Sequence, residues 1–195
     1  MIKSKKLSKI KNLKHGFFNS KGGISKNIYK SLNCGPGSKD NPRYVKKNLE
    51  IVRKKIKTSA RNIFLLNQIH SNKFIYIDEK HQLTTKPKVD AVITNQKNLP
   101  IAILTADCVP ILICDNQKKI IAAIHAGWKG AYSGIVDNVL KFMIKKGSKP
   151  QNIIAVIGPS ISIDSYEVQN DFKNKFLKKD IRSKIFFRIK HKKLY

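Results

Sequence analysis

Cysteine, acidic residues and arginine are scarce in this chain, and long apolar runs are missing. Three cysteines among 195 residues, Cys34, Cys108 and Cys114, are few and odd in number, so a disulfide framework is not expected and a reducing cytoplasm is the expected setting. No run approaches the ~18 apolar residues a membrane-spanning helix needs, and no membrane partner is implied. The lysine-rich stretch Met1 to Lys14 lacks the following apolar segment of a secretory signal. Linkers rich in Pro, Gly and Ser, internal repeats and low-complexity blocks are also absent. A single domain over residues 1–195 is the simplest division.

Acidic residues number 12 against 40 basic ones, a formal net charge of +28. Such an excess raises the question of nucleic acid or anionic surfaces. Only five of the basic residues are Arg, whereas planar bidentate contact with phosphates and bases favours Arg over Lys. Lysine is spread along the chain and forms no stripe. Lys, Ile and Asn together make up 79 of the 195 residues, the skew of a genome rich in A and T. Most of the charge is therefore expected on solvated faces, with no specific nucleic-acid partner. Val89 to Trp128 differs, because three Lys there (97, 118, 119) balance three Asp (90, 107, 115). A neutral stretch inside so basic a chain marks a tighter constraint.

What is present is a mixed pattern. Val45, Leu49, Val52 and Ile56 recur at helical spacing, and with Pro42 in the first turn they predict a helix over Asn41 to Lys57. Short β-rich runs follow at Ile63–Leu66, Phe74–Ile77, Ala91–Thr94, Ile101–Leu104, Val109–Cys114, Ile120–Ile124 and Ile153–Ile157. Several are apolar on both alternations, which predicts a sheet covered on both faces. A second helix is expected over Lys129 to Lys145, from the stripe Ile135, Val136, Val139, Leu140 and Met143, and a third over Val168 to Lys179. Strands and helices intermix without a strict βαβ rhythm, so the expected class is α+β.

Three residues able to bind a borderline metal end or precede predicted strands: His70, Cys108 and His125. They lie 38 and 17 residues apart, which is no compact metal motif, but side chains at neighbouring strand ends can converge on one point. Three ligands with an open fourth position is the pattern of a catalytic zinc. Two other readings stand beside it. Cys108 is a small buried hydrophobe and the histidines are satisfied core groups, or Cys108 is a nucleophile with His125 as its base. The turn His125-Ala126-Gly127-Trp128-Lys129-Gly130 brings glycines, backbone N–H groups and the Lys129 charge together, a candidate phosphate clamp. It fits neither a dinucleotide fingerprint nor a Walker loop.

These residues, with His15-Gly16-Phe17-Phe18, Gly22-Gly23, Ser31-Leu32-Asn33, Gln68-Ile69-His70-Ser71, Asp90-Ala91, Ala106-Asp107-Cys108-Val109-Pro110, Ile157-Gly158-Pro159 and Tyr166-Glu167-Val168, occur in the order of one family. The sequence resembles the laccase-domain or polyphenol oxidoreductase family. Its members are generally described as purine nucleoside phosphorylases with adenosine deaminase activity. The resemblance implies a layered α/β/β/α domain with mixed sheets. It implies zinc on His70, Cys108 and His125, with copper as the alternative ion. It also implies purine nucleosides (adenosine, inosine, guanosine and methylthioadenosine) and phosphate as substrates. Gln68, Gly127 and Lys129 are then the candidate substrate-binding residues, and Cys108 and Asp107 the candidate catalytic ones, Asp107 as proton carrier. Relatives commonly continue for roughly 50 residues past the position of Tyr195, so a C-terminally truncated domain is expected. They often carry Arg where this chain has Lys129, which keeps the charge and loses the fork. The rival classes are a cysteine hydrolase, a copper-dependent polyphenol oxidase, and a basic nucleic-acid binder or inactive fragment. Multi-centre copper chemistry would need more histidines than the five present.

Overall fold

The computed structural model describes residues 1–79, 86–190 and 193–195. The chain divides into two compact units, Met1–Pro159 and Ser160–Tyr195, although no linker composition marks the boundary. The first unit opens with a short helix α1 (Lys5–Ser8), capped by the Ser4 hydroxyl. Helix α2 (Pro42–Ile56) follows, with Asn41 as its side-chain cap and Lys57 ending it in a left-handed conformation. Among the described residues six strands, two helices and a seventh strand follow: β1 (Phe64–Leu65), β2 (Phe74–Ile77), β3 (Ala91–Thr94), β4 (Ile101–Ala102), β5 (Val109–Asp115), β6 (Ile120–Ala126), α3 (Trp128–Tyr132), α4 (Ile135–Lys145) and β7 (Ile153–Ile157).

The main sheet has the order β2-β3-β6-β5-β7, and β1 pairs with β4 in a separate parallel ribbon. In the main sheet β2 and β3 run parallel while β3–β6, β6–β5 and β5–β7 are antiparallel. This is a mixed α/β fold with mixed sheets. Alternation explains why Ala91, Val92 and Ile93 of β3 are all apolar: Ala91 and Ile93 join the cluster holding Ile135, Val139 and Met143 of α4, while Val92 joins Leu66, Ile77 and Ala123 on the opposite face. Phe64 and Ile101 of the β1–β4 ribbon pack against that second cluster. Each fully buried α4 side chain contributes about 1.5–3 kcal/mol by leaving water. The sheet is thus held rigid between a helix and a ribbon, and its strand ends are fixed points.

Two sequence expectations are corrected. The helix expected over Lys129 to Lys145 is two helices, α3 and α4, broken at Ser133 and Gly134. Gly134 sits at φ +82°, a left-handed backbone that glycine adopts without a Cβ penalty and that ends the first helix. The runs Ile63–Leu66 and Ile101–Leu104 form strands of only two residues each. By contrast β2, β3 and β7 begin and end where the sequence places them.

The second unit contains α5 (Asn170–Lys179) and the antiparallel pair β8 (Ile189–Lys190) and β9 (Lys193–Leu194). Phe172, Phe176 and Phe187 stack on one another there. Asp164 pairs with Arg188 and Lys190, and Glu167 with Lys193. None of its described residues is buried in the way the sheet core of the first unit is.

Candidate metal centre

The sheet register brings distant residues to one edge. Because β5 and β6 are antiparallel with Val109 opposite Ala126, Cys108, which precedes β5, lies beside the end of β6 and the Gly127 turn. The pairing of Ala91 with Ile124 sets Asp90, which precedes β3, beside His125, and the Asp90 carbonyl accepts from the His125 N–H at 2.8 Å. Strand β2 runs parallel to β3, so the loop that enters it, carrying His70, arrives at the same edge. The starts of β2, β3 and β5 and the end of β6 therefore meet.

The three expected ligands converge. One ligand atom from each of His70, Cys108 and His125 lies within 4.8 Å of the others, with Cys108 Sγ 4.0 Å from His70 Nε2. The two imidazoles meet edge to face with centroids 4.8 Å apart. Zinc bond lengths of ~2.3 Å to sulfur and ~2.0 Å to nitrogen imply ligand separations of roughly 3.3–3.6 Å in a tetrahedral site, so closing on one ion takes shifts under about 1 Å. The donor set fits a borderline ion such as zinc and also admits copper. His125 is buried, Cys108 half-buried and His70 exposed, so the cluster is open to solvent on one side. Among the described residues this is the group of His, Cys, Asp and Glu able to hold a metal.

A carboxylate absent from the expected site sits behind it. Asp90 is fully buried. One oxygen lies 2.8 Å from His125 Nδ1 and accepts from the backbone N–H of His70 at 2.9 Å. The other accepts from the Ser71 N–H at 2.6 Å and the Ser71 hydroxyl at 2.7 Å. The Ile69 N–H reaches both oxygens. This web holds His70 at φ +58°, a left-handed conformation costing a non-glycine residue roughly 1–2 kcal/mol. Burial works against the Asp90 charge, but the hydrogen bonds from His125, Ser71 and His70 outweigh it, and its pKa lies below the ordinary carboxylate value. For Cys108 the balance goes the other way: burial, then the carboxylates of Asp107 and Asp90, push the thiol up. A cation at the cluster offsets that repulsion and favours the thiolate.

Residues 14–195 match the family described as multi-copper polyphenol oxidoreductase laccase. The chain belongs to that family. It is 41% identical over 175 residues to a purine nucleoside phosphorylase of Rickettsia conorii, covering 85% of this chain and 71% of that protein. A crystal structure of a Neisseria meningitidis protein matches with a TM-score of 0.76 at 34% identity, over 89% of this chain and 69% of the other. A Bacillus licheniformis hypothetical protein matches at TM-score 0.80 and 29% identity, over 90% and 69%. The family expected from the motifs is the family found; relatives such as the Rickettsia conorii protein are named purine nucleoside phosphorylases, and this chain carries a group able to hold a metal.

Within this laccase-family framework the other expected site residues fall in distinct places. Gly127 touches the cluster: a Cβ there would stand 2.7 Å from His70 Cδ2, 3.3 Å from Cys108 Sγ and 3.5 Å from His125 Cε1. Gly130 lets α3 approach the His70 loop, since its Cβ would come within 2.7 Å of the Ser71 carbonyl. Lys129 stands over the Trp128 ring, its Nζ 5.7 Å from the centroid, which keeps its charge beside the turn. Asp107 is exposed next to Cys108. Gln68 is tied at both ends of its amide to Leu104, donating to the carbonyl and accepting from the N–H at 2.7 Å each. That leaves one N–H and one lone pair, and makes Gln68 a clamp between the segments after β1 and β4. Asp90 is the residue that sequence reasoning left without a role. It was visible only as the first residue of an Asp-Ala pair ahead of an apolar strand.

Proposed function

We propose that this chain is a zinc-dependent purine nucleoside phosphorylase, transferring the ribosyl group of adenosine, inosine, guanosine or methylthioadenosine to phosphate, with adenosine deamination as a side activity. The observation carrying this reading is the His70, Cys108 and His125 cluster, open on one side, in a chain similar to proteins named as such phosphorylases. Zinc held there would supply a Lewis acid and a water of lowered pKa. The chain's own residues do the rest. Phosphate attack on the anomeric carbon needs an anion held close to the sugar. Lys129 and the backbone N–H groups at the Gly127 turn would supply positive character for it. Gln68 offers its remaining amide N–H to substrate while bracing the wall beside His70. Asp107, exposed beside Cys108, would carry a proton to or from the purine.

The test is purine release from inosine and adenosine in the presence of phosphate, alongside metal analysis, before and after chelation. About one zinc per chain, activity lost on chelation and restored by zinc is the expected result. Undiminished phosphorolysis by fully metal-free protein overturns the reading. Restoration by copper alone, with oxidation of phenols, would favour the oxidase suggested by the family description.

A cysteine hydrolase keeps one supporting observation, the Asp90 to His125 pair behind Cys108, which resembles the orienting half of a catalytic triad. It leaves His70 without a task, and the Cys108 thiol is shifted up where a nucleophile needs it shifted down. Thiol labelling separates the two. Burial raises both Cys34 and Cys114 to about 11, Asp115 adding to the effect on Cys114, so a disulfide reagent near pH 8 should modify Cys108, on the open side of the cluster, first in the metal-free protein. Zinc should suppress that reaction by more than 10-fold at saturation, by occupying the thiolate. Equal labelling with and without zinc contradicts a metal on Cys108.

A further inference from the structure

Four donors converge on the Asp90 side chain, the backbone N–H of Ile69, His70 and Ser71 and the Ser71 hydroxyl, and His125 Nδ1 lies 2.8 Å from one of its oxygens. With those donors already on both of its oxygens, the side chain serves as an acceptor toward the ring as well. His125 must therefore carry its proton on Nδ1, which leaves the Nε2 lone pair facing the cluster. The same carboxylate fixes the three consecutive amides around His70, and so sets the direction in which that side chain leaves the loop. The main chain of residue 90 adds two ties, its N–H donating to the Lys73 carbonyl at 3.0 Å and its carbonyl accepting from His125 at 2.8 Å.

We propose that Asp90 is the positioning residue of the metal centre, one buried carboxylate that sets both histidines for metal before an ion arrives, His125 through its ring and His70 through its backbone. The inference rests on the reading of the cluster as a metal site. A carboxylate that only caps the 69–71 loop would satisfy the amides equally well, but it would have no use for the His125 ring. The two roles thus predict different behaviour at Nδ1.

Long-range proton–nitrogen NMR of metal-free wild-type protein reads the His125 tautomer directly. A proton on Nδ1 is expected, and a proton on Nε2 overturns the proposal. Asp90→Asn changes shape little, yet its NH2 group must face either the His125 ring or the Ser71 donors. Competition with a chromophoric chelator should show the zinc dissociation constant raised 10–100-fold, the range for loss of a partner behind a metal-binding histidine. The thiolate-to-metal band of the cobalt-substituted variant should shift or weaken. A folded Asp90→Asn protein with wild-type zinc affinity and cobalt spectrum overturns the proposal. If that variant does not fold, the wild-type tautomer decides alone. No readout here uses phosphorolysis, so a chain inactive on nucleosides could still pass this test, and an active phosphorylase could fail it.

Discussion

Cys108→Ala is expected to bind no zinc at concentrations that saturate the wild type, and to lose phosphorolysis by more than the 10–100-fold that removal of a supporting hydrogen bond costs. The reason is ligand count: two imidazoles without the thiolate leave a cation with too few donors and no compensating negative charge in direct contact. The fold should survive, because Cys108 precedes β5 and is only half-buried, and truncation of such a side chain falls at the mild end of the 0.5–3 kcal/mol range typical of point mutations. Zinc-linked stabilisation exposes the difference. At a thousandfold excess over its dissociation constant, zinc should stabilise the wild type by about 4 kcal/mol, roughly a 10 °C rise in Tm for a domain of this size. The variant should show no rise. Cys114→Ala is the control, since Cys114 is buried near the far end of β5, opposite the end that Cys108 precedes. It should lower Tm through a small cavity and keep the zinc-dependent rise. Zinc bound stoichiometrically by Cys108→Ala would remove the centre as described.

Much of the fold could be read from residue patterns, because burial leaves a periodic trace. The α2 stripe Val45, Leu49, Val52 and Ile56 and the apolar Ala91, Val92 and Ile93 of β3 are direct consequences of which faces meet a core. The break at Gly134 left no such trace. The stripe from Ile135 onward is consistent with one long helix, and hydrophobic spacing carries no information about a positive φ. The site was legible in kind and not in geometry. Residue types and strand-end positions pointed to His70, Cys108 and His125, but their convergence depends on the β5–β6 register and on β3 lying next to β6, neither of which is written in the spacings of 38 and 17. Asp90 was hidden for the same reason. An Asp ahead of a strand looks like any cap until the sheet order places His125 beside it.

That dependence on packing makes Gly127 a position where a single methyl should strike the ligands themselves. Its backbone, φ −66° and ψ 157°, is open to any residue, so Gly127→Ala carries no conformational penalty of its own. The clash falls entirely on the ligands, chiefly the His70 ring 2.7 Å from the added Cβ. His70 is exposed and can swing outward, which relieves the contact and abandons the ion. The expected result is a metal-free protein within about 1 kcal/mol of wild-type stability, with zinc affinity down at least the 10–100-fold that follows disturbed ligand orientation. Gly134→Ala should do the reverse. At φ +82° a Cβ costs roughly 1–2 kcal/mol of backbone strain, far from the ligands in sequence and without touching them, so stability falls and zinc affinity holds. Chemical denaturation and zinc competition on the two variants separate strain from site geometry. Equal zinc affinity in Gly127→Ala and wild type would mean that the His70 ring does not take part in holding the ion.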